Sequence, residues 1–150
     1  MSDKHADSSR LLNPLQRGSL ATTLSVLEEM LCEIEGNFTF GGCKGVLYEV
    51  RDDVPVAIHG EVLKRISLIR EKIKFMAERF DLEKRSKDAS RDFMGKLVYC
   101  WEILEGAKAR HLRGYGAVAG ELEEALDPHL NNIIILVDEM RELVISEKKN

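Results

Sequence analysis

The sequence predicts an all-α protein, an antiparallel four-helix bundle with two ordered glycine-containing loops and one short extra helix. Three stretches carry apolar residues at alternating steps of three and four, the spacing that lines one side of an α-helix. Helices bury such seams by packing side by side. The seams are Leu20, Leu24, Leu27, Leu31 and Ile34; then Val62, Ile66, Ile69, Ile73, Met76 and Phe80; and finally Leu130, Ile133, Val137, Met140 and Val144.

The first helix has clear start and stop signals. Asn13 is a good N-cap, and Pro14 follows at the first helical position, where a missing N–H costs nothing. Gly36 supplies the left-handed residue that commonly ends a helix. Four acidic residues crowd the C-terminal half, where the helix dipole prefers cations, so we expect basic side chains beside them. These residues are Glu28, Glu29, Glu33 and Glu35.

Residues 36–55 mix aromatic residues with glycines and allow two interpretations. Asn37–Phe40 and Val46–Val50 fit two short strands around a glycine turn. They fit equally well an ordered loop over the end of the bundle. Periodicity over so few residues does not choose between them.

The second helix is predicted from Val56 to Phe80, after the start signals Asp52, Asp53 and Pro55. Its outer face is basic, whereas the first helix is acidic. We therefore expect the two helices to be antiparallel neighbours, with charge pairs that set orientation more than they add stability.

A charged connection over residues 81–90 leads to the third helix, which Ser86 or Ser90 is predicted to cap and which runs to about Leu104. This helix is apolar all round, and such a helix is buried on more than one side. Either the two long loops cover the surplus apolar surface of the third and fourth helices, or a second copy of the chain packs there.

A second glycine-bearing region at residues 106–126 ends in a predicted short helix, Glu121–Leu126. Asp127–Pro128 then repeats the cap-plus-proline signal of Asn13–Pro14 and starts the fourth helix, which runs to about Ser146.

Length and composition favour one soluble domain. The length of 150 residues predicts a single domain, at residues 13–150. The polar residues at the start of the chain predict a flexible tail at residues 1–12. A formal net charge of −4 argues against nucleic-acid binding, which needs a basic face. No apolar run is long enough for a membrane span. Three unpatterned cysteines and the lack of an apolar leader favour a cytoplasmic location.

The sequence predicts no cofactor, no metal site and no catalytic residue, so an enzyme is the less favoured class. Carboxylate-bound metals in helical bundles need Glu-x-x-His pairs, and the sequence contains none. The Cys-x-x-Cys spacing typical of zinc sites is also absent. Cys43 beside Lys44 has the setting of an activated thiol, with His59 or His111 as its base. A tolerated loop cysteine is the better interpretation.

One segment carries the best signal for a ligand, an anion such as phosphate or a partner carboxylate. Guanidinium groups and backbone amides freed by glycine suit such a group, and a tyrosine there is suited to stacking. The structural alternative is that the arginines form ion pairs and the glycines only permit a turn with positive φ. The residues are Lys108, Arg110, His111, Arg113, Gly114, Tyr115 and Gly116.

Two functions therefore follow as hypotheses. The favoured one is a non-catalytic interaction module that self-associates, as a homodimer for example, or binds a small regulatory partner protein. The other is a small-molecule-binding or enzymatic bundle that uses Lys108–Gly116 for a small anionic ligand. Nucleic acid and membrane are not expected as partners.

Overall fold

The computed structural model describes residues 11–41 and 43–149, so most of the predicted tail at residues 1–12 lies outside it. The all-α class is confirmed. The chain divides into two compact units, Met1–Arg85 and Ser86–Asn150. The four-helix bundle and the single domain at 13–150 stay predictions. The helices are α1 (Pro14–Phe40), α2 (Val56–Arg79), α3 (Ala89–Gly106), a 3₁₀ helix (Ala109–Tyr115) and α4 (Leu122–Lys149).

The predicted start of α1 is confirmed. The Asn13 side chain accepts a hydrogen bond from the Gln16 backbone N–H at 2.9 Å, and the Gln16 side chain accepts one from the Asn13 N–H, also at 2.9 Å. This reciprocal capping box satisfies two backbone donors that a helix start otherwise leaves free. Pro14 occupies the first turn, as predicted.

The predicted end of α1 at Gly36 is wrong, because the helix continues to Phe40 and ends at Gly41, whose φ is 71°. The Phe38 ring stacks on the His59 ring of α2, with centroids 4.2 Å apart. Glycine inside a helix costs only about 0.5–1 kcal/mol, so a tertiary contact of this kind is enough to carry the helix past Gly36.

Residues 43–50 form an ordered turn, and none of the described residues there belongs to a strand. A single antiparallel bridge joins Lys44 and Glu49. The Val50 N–H donates to the Cys43 carbonyl at 3.2 Å. Because Asn37–Phe40 is helical, the interpretation of residues 36–55 as two strands is wrong, and an ordered loop over the end of a bundle stays a prediction.

The two helices of the first unit are antiparallel neighbours, as their charge predicted. Arg17 near the start of α1 lies 3.9 Å from the Asp81 carboxylate just beyond the end of α2. Near the other end, the Arg70 guanidinium donates two hydrogen bonds to the Glu35 carboxylate. Of the four glutamates expected to meet basic side chains, only Glu35 has an ion pair among the described residues.

In each helix of the first unit, the buried seam residues lie seven positions apart. Leu24 and Leu31 are buried in α1, as are Ile66 and Ile73 in α2. Two helices in contact along one line bury only the residues on that line. Other seam residues are therefore exposed, among them Ile34, Ile69, Ile133 and Met140.

In the second unit α3 packs against α4, and their buried residues are Leu97, Ile134 and Val137. α3 begins at Ala89 after Asp88, without the predicted serine cap and without any side-chain cap bond. Its described end, Gly106, lies two residues beyond the predicted one.

The predicted helix start at Asp127–Pro128 is wrong, because α4 runs through both residues from Leu122 to Lys149. Proline's fixed φ is helical, but inside a helix the residue removes one backbone hydrogen bond and its ring crowds the carbonyl four residues back, at a cost of about 3 kcal/mol. The Asp127 carboxylate instead accepts a hydrogen bond at 2.9 Å from the N–H of Ala109, which is buried. The predicted short helix Glu121–Leu126 is the beginning of α4, and the extra helix is the 3₁₀ helix.

Candidate functional site

Within the segment Lys108–Gly116, residues Ala109–Tyr115 form a 3₁₀ helix between α3 and α4, so the prediction of a loop there is wrong. Gly116 follows it with φ 143° and ψ 175°, a conformation that essentially only glycine adopts. The expected positive φ is thus confirmed for Gly116. It is wrong for Gly114, since Gly41 and Gly116 are the positive-φ glycines among the described residues.

Two of the three cations in this segment converge on one carboxylate. Lys108 Nζ lies 3.0 Å from Glu105 Oε1, and Arg110 Nη2 lies 3.9 Å from Glu105 Oε2. The Lys108 and Glu105 side chains are mostly buried. Glu105 therefore matches the charge of Lys108 within the unit and partly offsets that of Arg110.

His111 contacts the same cluster. Arg110 Nε donates a hydrogen bond to His111 Nε2 at 3.0 Å. In this geometry Nε2 is the acceptor, so the ring proton belongs on Nδ1. Since Arg110 binds both Glu105 and His111, it is held at the surface end of this small network.

A cavity of about 460 Å³ opens beside the 3₁₀ helix. Of the predicted site residues, Arg110, Arg113 and Gly116 line it; Ala109, residues 117–120 and Glu123 form the rest of its wall. Arg113 makes no ion pair with any described residue. Glu123 was not predicted as part of the site, and no local sequence signal could have indicated that the chain brings it there.

The remaining predicted residues lie outside this cavity. Lys108 is turned to Glu105, Gly114 is inside the 3₁₀ helix, and Tyr115 is 92% exposed. The arrangement offers one unmatched guanidinium and one carboxylate at a shared wall, which is a weaker anion site than three cations would form.

The residues considered for nucleophilic catalysis have other contacts. His59 stacks on Phe38, and its Nε2 lies 3.2 Å from the Asp52 carboxylate. Cys43 is exposed. Within residues 11–41 and 43–149, neither His59 nor His111 is hydrogen-bonded to Cys43.

Perturbed pKa values occur at ion pairs away from the cavity. The hydrogen bond from Arg70 lowers the pKa of Glu35, and the same bond raises the pKa of Arg70. Hydrogen bonds from Lys96 and then Lys87 lower the pKa of Asp92. Each shift has a structural ion pair as its cause.

A second candidate surface lies on α4. Ile133, Leu136, Met140 and Leu143 follow the 3-4-3 spacing of a seam, and all four are exposed. This α4 seam is separate from the buried positions Ile134 and Val137. α4 therefore presents one apolar line to α3 and a second one outward.

No group of three or more histidine, cysteine or acidic side chains among the described residues is arranged to hold a metal ion. Of the helices in that same part of the chain, none combines the length and apolarity needed to cross a bilayer. No family model, curated protein or solved structure matches this chain.

Proposed function

We propose that this protein is a non-catalytic interaction module that self-associates by burying exposed apolar helix faces against helices of another chain. The observation that carries the proposal is the α4 seam, whose four side chains are 41–68% exposed. A line of apolar residues with a 3.5-residue average period is the surface into which another helix packs its side chains. Contiguous apolar patches of this kind mark interaction sites on water-soluble domains.

Native methionines provide the test. In the single chain Met30 and Met140 are exposed, whereas Met76 and Met94 are half-buried. Peroxide converts accessible methionine to the sulfoxide. We expect Met30 and Met140 to be oxidised more slowly than Met76 and Met94 at high protein concentration, and faster after dilution.

Light scattering on the same samples gives the oligomeric state. Oxidation of Met30 and Met140 first at every concentration contradicts the proposal. Slow oxidation of Met30 and Met140 in a sample that scatters light as a monomer also contradicts the proposal, because the chain itself would then shield these two side chains. As a matched pair, Leu136→Glu is expected to weaken association and Ile135→Glu, exposed off the seam, to leave it unchanged.

The cavity beside the 3₁₀ helix supports a second candidate function, the binding of a small anion. The unmatched Arg113 on its wall favours it, while Glu123 on the same wall opposes it. Inorganic phosphate and phosphorylated metabolites are then expected to raise the melting temperature, and Arg113→Ala to remove that rise. A melting temperature that no anion changes would eliminate this candidate.

A further inference from the structure

The first unit has two unlike sides. One is marked by Cys32 and Arg70, whose Sγ and Nη2 atoms lie 3.7 Å apart. An α-helix turns about 100° per residue, so Met30 and Ile34 lie about 160° around α1 from Cys32. By the same geometry Ile69 lies about 100° around α2 from Arg70. In both helices the buried core residues lie between the side marked by Cys32 and Arg70 and these apolar residues. Met30, Ile34 and Ile69 therefore share the opposite side of the unit.

We call this surface the apolar side, defined by Met30, Ile34, Ile58 and Ile69. Their exposures range from 36% to 55%. Both helices contribute, so the surface is a strip along the hairpin and not an isolated side chain. A surface of this shape fits a second pair of helices.

The charges of the two helices are equal and opposite. α1 has one basic and four acidic residues, and α2 has six basic and three acidic residues. Glu35–Arg70 is the ion pair that joins them among the described residues. The following charged side chains of the two helices have no ion pair with any residue the structure describes: Glu28, Glu29, Glu33, Lys64, Glu71, Lys72, Lys74, Glu78 and Arg79.

Charge complementarity selects the occupant of the apolar side. α3 has two basic and three acidic residues, and α4 has three basic and seven acidic residues. Since α1 is also acidic, α2 is the basic member of the four α-helices. The helix of this chain that complements α1 is therefore another α2, which a second copy supplies.

Resting on the proposed function, we propose that the apolar side binds the apolar side of a second copy of this chain, with α1 of each copy on α2 of the other. A two-fold axis parallel to the helices produces this pairing. A two-fold axis perpendicular to them would place α1 on α1 and α2 on α2, and like charges would then face each other.

The same axis fixes which residues are level. The Arg17–Asp81 and Glu35–Arg70 contacts give the heights of α1 and α2 within one copy, and rotation about the helix direction preserves them. Glu33 is then level with the stretch between Arg65 and Lys72 of the partner subunit. Each dimer holds two such contacts, related by the two-fold axis.

Charge reversal tests this pairing with the full chain. Glu33→Lys and Lys72→Glu each place like charges at both contacts, so we expect each variant alone to dimerise about tenfold more weakly at low ionic strength. An equimolar mixture should recover wild-type dimerisation, because both contacts of the mixed dimer join opposite charges. Sedimentation velocity across a concentration series measures all three.

Met30→Glu should disrupt the pairing of the two apolar sides and weaken dimerisation, while Phe75→Glu, an exposed position on the outer face of α2, should leave it unchanged. Circular dichroism checks that each variant is helical. If the wild type dimerises but the mixture is no tighter than its parents, this pairing is wrong and the proposed function stands. A wild-type chain that stays monomeric overturns both.

Discussion

The two units contain helical hairpins of similar size that are held by different contacts. In the first unit side-chain contacts join the two helices: the Glu35–Arg70 ion pair and the stacked rings of Phe38 and His59. In the described part of the second unit, four ion pairs are local in sequence: Lys87 and Lys96 bind Asp92, and Lys108 and Arg110 bind Glu105.

The helices of the second unit are joined by the apolar core and, among residues 86–149, by a long-range hydrogen bond from the Ala109 N–H to Asp127. Charge helps to set the helix register in the first unit, where the two helices carry opposite net charges. In the second unit both helices are acidic, so apolar packing and the 3₁₀ helix must set it.

The largest expected effect comes from the apolar cores, which should stabilise the two units equally. Ile73→Ala in the first unit and Leu97→Ala in the second should each lower the free energy of unfolding by about 2–4 kcal/mol, since both side chains are buried. Leu68→Ala is the control, and its cost should be clearly smaller because the side chain is exposed on α2 and lies outside the apolar side. Urea denaturation followed by circular dichroism measures all three. A cost for Leu68→Ala equal to that of Ile73→Ala would contradict the assigned core.

A smaller effect is expected at the link that distinguishes the second unit. Gly116→Ala should cost about 1–3 kcal/mol, because its φ of 143° strains any residue with a Cβ. Gly114→Ala is a close control: the added Cβ meets nothing within 4 Å, and φ there is not positive. Thermal unfolding compares them. Equal melting temperatures for the two variants would remove the 3₁₀ link as a determinant of this unit.

The smallest effect separates long-range from local ion pairs. The pKa of Glu35 is lowered from its ordinary value of 4.5, so its pair with Arg70 stabilises the fold above that pH and is lost as pH falls through the lowered value. Glu35→Gln should therefore lose stability at pH 7 and show a shallower decline on acidification.

Asp92→Asn is the comparison in the second unit. The pKa of Asp92 is also lowered, and the pH dependence has the same sign. Its partners Lys87 and Lys96 are local, so the loss should be confined to the start of α3. Amide hydrogen exchange at pH 7 distinguishes the two: Glu35→Gln should speed exchange in α1 and α2 together. Faster exchange throughout the second unit in Asp92→Asn would break the distinction.

Much of the fold could be predicted from local sequence because helix starts are local events. Asn13 and Pro14 act within one turn, and the capping box forms as expected. Other helix boundaries were predicted less well. Gly36 is a valid stop signal and Asp127–Pro128 a valid start signal, yet helices run through both, beside the contacts of Phe38 with His59 and of Asp127 with Ala109. A glycine inside a helix costs only about 1 kcal/mol, whereas a proline costs about 3 kcal/mol, so Pro128 needs the larger compensation from the rest of the fold.

The candidate site was predicted in part. The cationic composition of Lys108–Gly116 was evident, but its charge balance depends on Glu105, one turn upstream, and on Glu123, which reaches the cavity through the fold. The exposed α4 seam was missed as a separate line, because periodicity marks apolar positions without showing which of them a neighbour covers.

The sequence by itself determined that this chain is helical, where α1 and α2 start and that these two helices lie antiparallel, since spacing, caps and helix charge act over short distances. Only the tertiary structure decided which apolar residues are buried, because burial depends on where a second helix lies. It also decided that two of the three cations of Lys108–Gly116 lie beside Glu105 and that Met30, Ile34, Ile58 and Ile69 of the first unit are exposed.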